Sequence, residues 1–237
     1  MKTLCVITGA SSGIGRSVAI ALSKSETHLI INARREDELL NTKRMCEHEN
    51  VDIITGDISQ PETAILIFKK FEEAIIQQKP LHLRSVFCAG YAKFGDTLQF
   101  ENEHWKKTID VNLNGLFYCC KHACNVMLQH GGGRIFNILS IASKNAFSHS
   151  TAYVASKFGA LGLTKSFNKE FRHRGVHFCA IMPGSTDTPF WSGQQNTPPL
   201  EDMMSSEELG NFIANLTLQT SDIWIDEILI TPKKGIL

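Results

Sequence analysis

Short, continuous runs of Val, Ile, Leu and Phe alternate with longer segments of helical periodicity along almost the whole chain. Candidate strands span 4–8, 28–33, 51–55, 84–88, 134–140, 176–182 and 224–231, and candidate helices span 14–25, 36–48, 61–78, 103–129, 152–173 and 206–218. Runs that are apolar throughout, rather than at every second residue, suit strands covered on both faces. Strand and helix in alternation predict an α/β architecture: a doubly wound parallel sheet of seven strands, flanked by helices on both faces and joined by right-handed crossovers. Ligands of such sheets bind outside the carboxyl ends of the strands. The loops that follow strands are therefore where function is expected.

Composition narrows the classes. The 237 residues, 1–237, are read as one domain, because α/β folds reach this size as single units. Hydrophobic residues at 43% and charged residues at 20% are those of a globular chain. Lys plus Arg (24) balances Asp plus Glu (24), which leaves no electrostatic footprint for nucleic acid or an anionic membrane. No run approaches the roughly 18 apolar residues that span a bilayer, and the first apolar run meets a Gly/Ser cluster too early for a signal peptide. The seven cysteines fall mostly in apolar periodic runs, as expected of buried reduced thiols in a cytoplasmic protein. Without HExxH or CxxC, and with only Cys120 and Cys124 sharing a helix face, no metal site is expected.

Four segments carry chemistry. The first loop, TGASSGIG from Thr8 to Gly15, lies between a strand and a helix, with glycines at 9, 13 and 15. Such glycines permit a tight turn and close backbone approach, and free N–H groups at the helix start bind phosphate. At the end of the first strand this is a dinucleotide position. The second strand ends in Ala33, Arg34 and Arg35. No carboxylate stands where a ribose 2′-hydroxyl would be read, whereas two guanidiniums suit a 2′-phosphate; the alternative is solvated arginines pairing with Glu36, Asp37 and Glu38. Tyr153 and Lys157, four apart on one helix face, can serve one site, the ammonium lowering a phenol pKa that is otherwise near 10. Ser140, at the end of the fifth strand, can hold a substrate oxygen.

Within the helix at 103–129 an apolar stripe runs through Trp105, Ile109, Leu113, Leu116, Cys120, Cys124 and Met127, with Phe117, Tyr118 and Val126 beside it. Apolar surface beyond one stripe predicts a second packing partner, a neighbouring element or another subunit. Asn112 followed by Gly115 predicts a kink in that helix. The stretch from Pro183 to about Ser205 is too long for an ordinary connection and reads as a lid or substrate loop, about 185–205. It has no Lys or Arg between Ser185 and Met204. Lys93, Lys144 and His149 remain as sources of positive charge for a substrate carboxylate.

TGASSGIG, Asn112, Ser140, Tyr153 with Lys157, and the PGSTDT of Pro183 to Thr188 together resemble the short-chain dehydrogenase/reductase family, over residues 3–190 by motif. The resemblance implies a Rossmann-type fold and an NADP(H)-dependent oxidoreductase, NAD(H) being less favoured, that moves a hydride between nicotinamide and a carbonyl or secondary alcohol. By it, Tyr153 is the general acid/base and Lys157 lowers its pKa and holds the nicotinamide ribose. Ser140 orients the substrate oxygen, and Asn112 supports a proton-relay water. The cofactor contacts it implies are Gly9, Ser11, Ser12, Gly13, Ile14 and Gly15 of the first loop; Arg34 and Arg35; Asp57 and Ile58; Ala89 and Gly90; and Pro183, Gly184, Thr186 and Thr188. Phe87-Cys88-Ala89-Gly90 replaces the family's Asn-Asn-Ala-Gly, Leu139 replaces a common Ser, and the ending WIDEILITPKKG is nearer to members acting on hydroxy acids, serine or pterins. The substrate is expected to be a small or medium carbonyl or alcohol, the enzyme being similar to 3-oxoacyl reductases, 3-hydroxy acid dehydrogenases or sepiapterin reductases. A homodimer or homotetramer is implied through the helices at 103–129 and 152–173. A non-catalytic NADP-binding sensor or scaffold is the alternative.

Overall fold

The computed structural model describes residues 2–194 and 197–236; positions 195 and 196 of the expected lid lie outside them. In chain order the strands are β1 (Thr3–Thr8), β2 (Thr27–Ala33), β3 (Val51–Thr55), β4 (His82–Phe87), β5 (Gly133–Ile138), β6 (Val176–Pro183), β7 (Thr186–Asp187), β8 (Met204–Ser205) and β9 (Glu227–Ile230). The helices are α1 (Gly13–Leu22), α2 (Glu36–Met45), α3 (Pro61–Gln78), α4 (Asn102–Ile109), α5 (Gly115–Gln129), α6 (Thr151–Phe171) and α7 (Ser206–Leu218). Seven strands form one sheet in the order β3-β2-β1-β4-β5-β6-β9, and each adjacent pair is parallel. The order reverses between β1 and β4, which opens a crevice at their carboxyl ends.

Alternate residues of one strand feed two cores. Leu4, Val6 and Ile30 pack with Phe68 and Phe71 of α3, Cys119 and Cys120 of α5, and Ala160 of α6. Cys5, Ile7, Leu29 and Ile31 pack with Val18 of α1, Leu39 of α2 and Leu209 of α7. Burial on both faces is why the strands are continuously apolar. All seven cysteines are free thiols, and burial pushes Cys5 up to about 12.

The expected helix at 103–129 is two helices. A π-helical turn, Asp110–Asn114, separates α4 from α5 at the position where a kink is expected. Its extra residue rotates the register, so the predicted stripe holds only after the turn. Leu116, Cys120, Cys124 and Met127 are buried, whereas Trp105 is 42% exposed. Gly115 closes the turn against the loop after β3, where a Cβ would lie 2.8 Å from the Ile58 carbonyl oxygen. Phe117 of α5 and Phe158 of α6 are also exposed. The last strand is shorter than 224–231: Trp224 lies outside the ladder and packs at a tilt on His177, 4.2 Å between ring centroids. The irregular stretch after Pro183 is partly ordered by parallel pairing of β7 with β8.

Candidate active site

The carboxyl ends of β1, β2, β4, β5 and β6 enclose a cleft of about 750 Å³. Its floor is the first loop. Gly9 and Gly13 have φ of +69° and +51°, the left-handed region that a side chain disfavours. A Cβ on Gly15 would stand 2.4 Å from the Gly9 carbonyl oxygen, so the loop folds on itself only with glycine there. Ser12 starts α1 without a side-chain cap, and the first turn has no acidic residue, whereas α2 opens on Glu36, Asp37 and Glu38. The first N–H groups of α1 thus meet the cleft unopposed by side chains. Ser11 and Ile14 line it beside them. Arg16 fixes the loop from behind, donating to the Ser11 carbonyl, to Glu38 and, at 3.0 Å, to Thr42 Oγ1.

Arg34 and Arg35 stand exposed at the end of β2 and line the same cleft. The expected acidic partners in α2 do not hold them: Glu38 is bound by Arg16, and Arg34 lies 3.9 Å from Asp57 Oδ2. Asp57 is oriented by accepting from the Ser59 N–H at 2.9 Å and hydroxyl at 2.8 Å, and Ile58 is buried beside it. At the end of β4 the replaced asparagines leave two substitutes. Phe87 packs edge-on against Phe68, and the Ala89 N–H donates to Thr8 Oγ1 at 3.3 Å. Cys88, Ala89 and Gly90 line the cleft, and so do Pro183, Gly184, Thr186 and Thr188 after β6.

Ser140, Tyr153 and Lys157 meet at the centre. Ser140 follows the fifth strand, where its Oγ accepts from the Ala142 N–H at 3.1 Å and its hydroxyl lies beside the Tyr153 phenol. Lys157 is 5% exposed and donates to the Ile138 carbonyl at 3.2 Å, with Nζ 5.6 Å from the Tyr153 ring centre. Burial lowers the lysine to about 8. Burial pushes Tyr153 up to about 12, against the pull of its hydrogen bond with Ser140. Desolvation thus dominates at the phenol, opposed by the Ser140 hydrogen bond rather than by the ammonium.

Asn112 does not line this cleft. Its Oδ1 accepts from the Tyr91 N–H at 2.8 Å, and its Nδ2 donates to the Tyr91 carbonyl at 2.8 Å and to Ser156 Oγ at 2.9 Å. Ser156 in turn donates to the Tyr153 carbonyl at 2.7 Å. The side chain braces α6 against the loop after β4: both Nδ2 hydrogens are used, and Oδ1 accepts one bond of the two it can take.

An aromatic collar around Tyr153 was not anticipated in full. Phe94 and Phe190 lie 5.8 and 5.6 Å from the phenol ring between centroids. Phe190 sits in the expected lid, but Phe94 belongs to no motif; its only sequence signal is a place in the loop that follows a strand. Gln194 ties the two loops together, accepting from the Phe94 N–H at 3.3 Å and donating to the Ala92 carbonyl at 2.9 Å. Lys93 and Lys144 are not on the cleft wall, whereas His149 is, with φ of +59°. Among the described residues no cluster of three or more His, Cys, Asp or Glu could hold a metal, and no helix is long and apolar enough to cross a membrane.

Known proteins resemble the chain in sequence and fold. The chain is 29% identical to a sepiapterin reductase of Chlorobaculum tepidum over 99% of its own length and 98% of that protein's. It is 31% identical to a 3beta-hydroxysteroid dehydrogenase of Mediterraneibacter gnavus, over 79% of this chain and 67% of that one. Its fold matches an alcohol dehydrogenase from the archaeon Thermococcus sibiricus, complexed with 5-hydroxy-NADP, at a TM-score of 0.86 and 24% identity, covering 100% and 99% of the two chains. An actinorhodin polyketide ketoreductase variant with NADPH matches at 0.83 and 25% identity, covering 97% and 95%. A sequence model described as short chain dehydrogenase matches residues 3–198. With its sheet order and loop motifs, the chain belongs to the short-chain dehydrogenase family of oxidoreductases.

Proposed function

We propose that the protein is an NADP(H)-dependent oxidoreductase interconverting a carbonyl and a secondary alcohol, with Tyr153 as the acid/base. The observation that carries this reading is the convergence of Ser140, Tyr153 and Lys157 on one cleft whose other end holds a glycine cradle and two arginines. The cradle fits a dinucleotide on its own geometry: positive φ at Gly9 and Gly13, an uncapped helix start and no acidic residue in the first turn of α1. Gly9, Ser12, Gly13 and Ile14 would hold its diphosphate. Asp57, Ile58, Ala89 and Gly90 flank the adenosine part, and Pro183, Gly184, Thr186 and Thr188 the nicotinamide. Arg34 and Arg35, with no carboxylate at the end of β2, favour a 2′-phosphate. When bound, the nicotinamide supplies or accepts the hydride.

The chain's own groups handle the proton. Tyr153, held neutral by burial, donates its hydroxyl proton to the substrate oxygen in reduction and recovers one in oxidation. Ser140, beside the phenol, can turn its hydroxyl to hold the same oxygen. Lys157 spends one N–H on Ile138 and has two left for the ribose and for charge near the phenol. The loop from about 185 to 205 covers the substrate.

In the test, Tyr153→Phe is expected to lower ketone-dependent NADPH oxidation by at least about 100-fold, the lower end of general acid/base contributions. NADPH binding, followed by fluorescence, should stay near the parent value. In parallel, Arg34→Ser should weaken NADPH binding more than NADH binding. Substantial turnover in the tyrosine variant overturns its role, and tighter NADH than NADPH binding by the parent overturns the cofactor choice.

A further inference from the structure

The substrate end of the cleft differs in chemistry from the rest. Three rings surround the reacting position, with Phe94 and Phe190 6.1 Å apart and each within 5.8 Å of Tyr153. Trp191 closes on Phe94 at 6.0 Å, and Ile141, Ala142 and Phe147 continue the wall. These rings are held in place rather than merely packed down. The Trp191 indole N–H donates to the Thr186 carbonyl at 3.0 Å, and Gln194 fixes the backbone on both sides of Lys93.

The charged residues of the cleft lie elsewhere. Arg34, Arg35 and Asp57 follow β2 and β3, on the far side of β1 from β5 and β6. Lys157 is buried with its N–H on Ile138. Lys144, a possible clamp for a carboxylate, is bound 2.5 Å from Glu227 Oε2 and is off the wall, as is Lys93. The sequence from Ser185 to Met204 offers no Lys or Arg. Away from Arg34, Arg35 and Asp57, the titratable side chains on the cleft wall among the described residues are Cys88, Tyr91, His149, Tyr153 and the buried Lys157.

We propose that the site takes an uncharged carbonyl compound built on a ring, gripped by Phe94 and Phe190, and rejects oxo acids of similar size; this rests on the carbonyl-reducing reading of the same cleft. An ionised carboxylate entering this apolar wall loses its water and meets no Lys or Arg there besides the buried Lys157, a loss that an uncharged ketone does not suffer. A flat ring meets aromatic walls in stacked or edge-to-face geometry, which an open chain cannot reproduce. Phe94 and Phe190 are therefore the specificity-determining pair.

The test uses Tyr153→Phe protein with NADPH bound, titrated calorimetrically with β-tetralone, its open-chain counterpart methyl octyl ketone, and β-ketodecanoate, all of equal carbon count. β-Tetralone should bind at least about 10-fold more tightly than the oxo acid, and more tightly than the open-chain ketone. Adding Phe94→Ala or Phe190→Ala should bring the three affinities together, with far-UV circular dichroism confirming the fold. Adding Phe190→Lys should shift the preference toward β-ketodecanoate without needing a vacated core. Equal or tighter binding of the oxo acid, ring and chain ketones bound alike, no binding of β-tetralone, or ratios unmoved by the phenylalanine variants overturns the inference. Failure of the parent protein to bind NADPH overturns instead the functional reading, and fluorescence titration reports that separately.

Discussion

Lys157 shows how a single residue sets conditions on the whole site. Its ammonium is buried and keeps one hydrogen bond, to Ile138, and its pKa falls from 10.5 to about 8. Below pH 8 the group is charged in both folded and unfolded chains, and the folded chain bears the cost of burying that charge. Between 8 and 10.5 the unfolded chain binds more protons, so stability contributed at this residue rises with pH. Without nucleotide, Lys157→Met should therefore unfold at a higher temperature than the parent at pH 7, by up to about 3 kcal/mol of stability. That margin should shrink as pH climbs toward 10; a margin equal at both pH values would refute the account. Residues of this kind were legible from spacing together with the neighbouring motifs. The tyrosine and lysine four apart, the strand-end serine and the glycine loop all lie where the sequence places them, because local geometry fixes each one. Phe94 escaped, since its partners Phe190 and Gln194 lie about a hundred positions away and no local pattern encodes such a meeting.

Elements obey their local signals until one residue changes their phase. The π-helical turn at Asp110–Asn114 illustrates this. Asn112 fits there because its amide completes three bonds that the surroundings need, two with the Tyr91 backbone and one with Ser156. Asn112→Ala would leave the partly buried Tyr91 N–H and carbonyl without side-chain partners and take one of the two bonds of Ser156, and chemical denaturation should register a loss on the order of 1–3 kcal/mol. A near-neutral result would mean that water replaces the amide and that the brace is dispensable. Because Ser156 also bonds the Tyr153 carbonyl, the loss should extend to ketone turnover even though Asn112 is off the cleft wall. The sequence signals the kink through Asn112 and Gly115 but not its kind, and a single stripe drawn through both halves puts Trp105 on the buried side. A helical wheel assumes one pitch, and the turn has another.

The architecture was the most legible level. Alternating apolar runs and helical periods specify a two-faced, doubly wound parallel sheet, while its strand order, β3-β2-β1-β4-β5-β6-β9, is seen only in the fold. What the sequence left unseen at this scale are pieces too short to show a period, β7 with β8, and the trimmed end of β9, where Trp224 packs on the His177 ring outside the ladder. The two bonds of Gln194 have a consequence for protein engineering. They make the 91–95 segment and the 185–194 segment a matched pair that shares the same pocket wall. A chimera that imports only the later loop from a relative should lose substrate discrimination and raise KM, whereas importing both loops together should carry the donor's selectivity with it; steady-state kinetics on the two chimeras would tell them apart. The unit of inheritance for selectivity in this molecule is thus neither loop alone but a pair stitched by one glutamine.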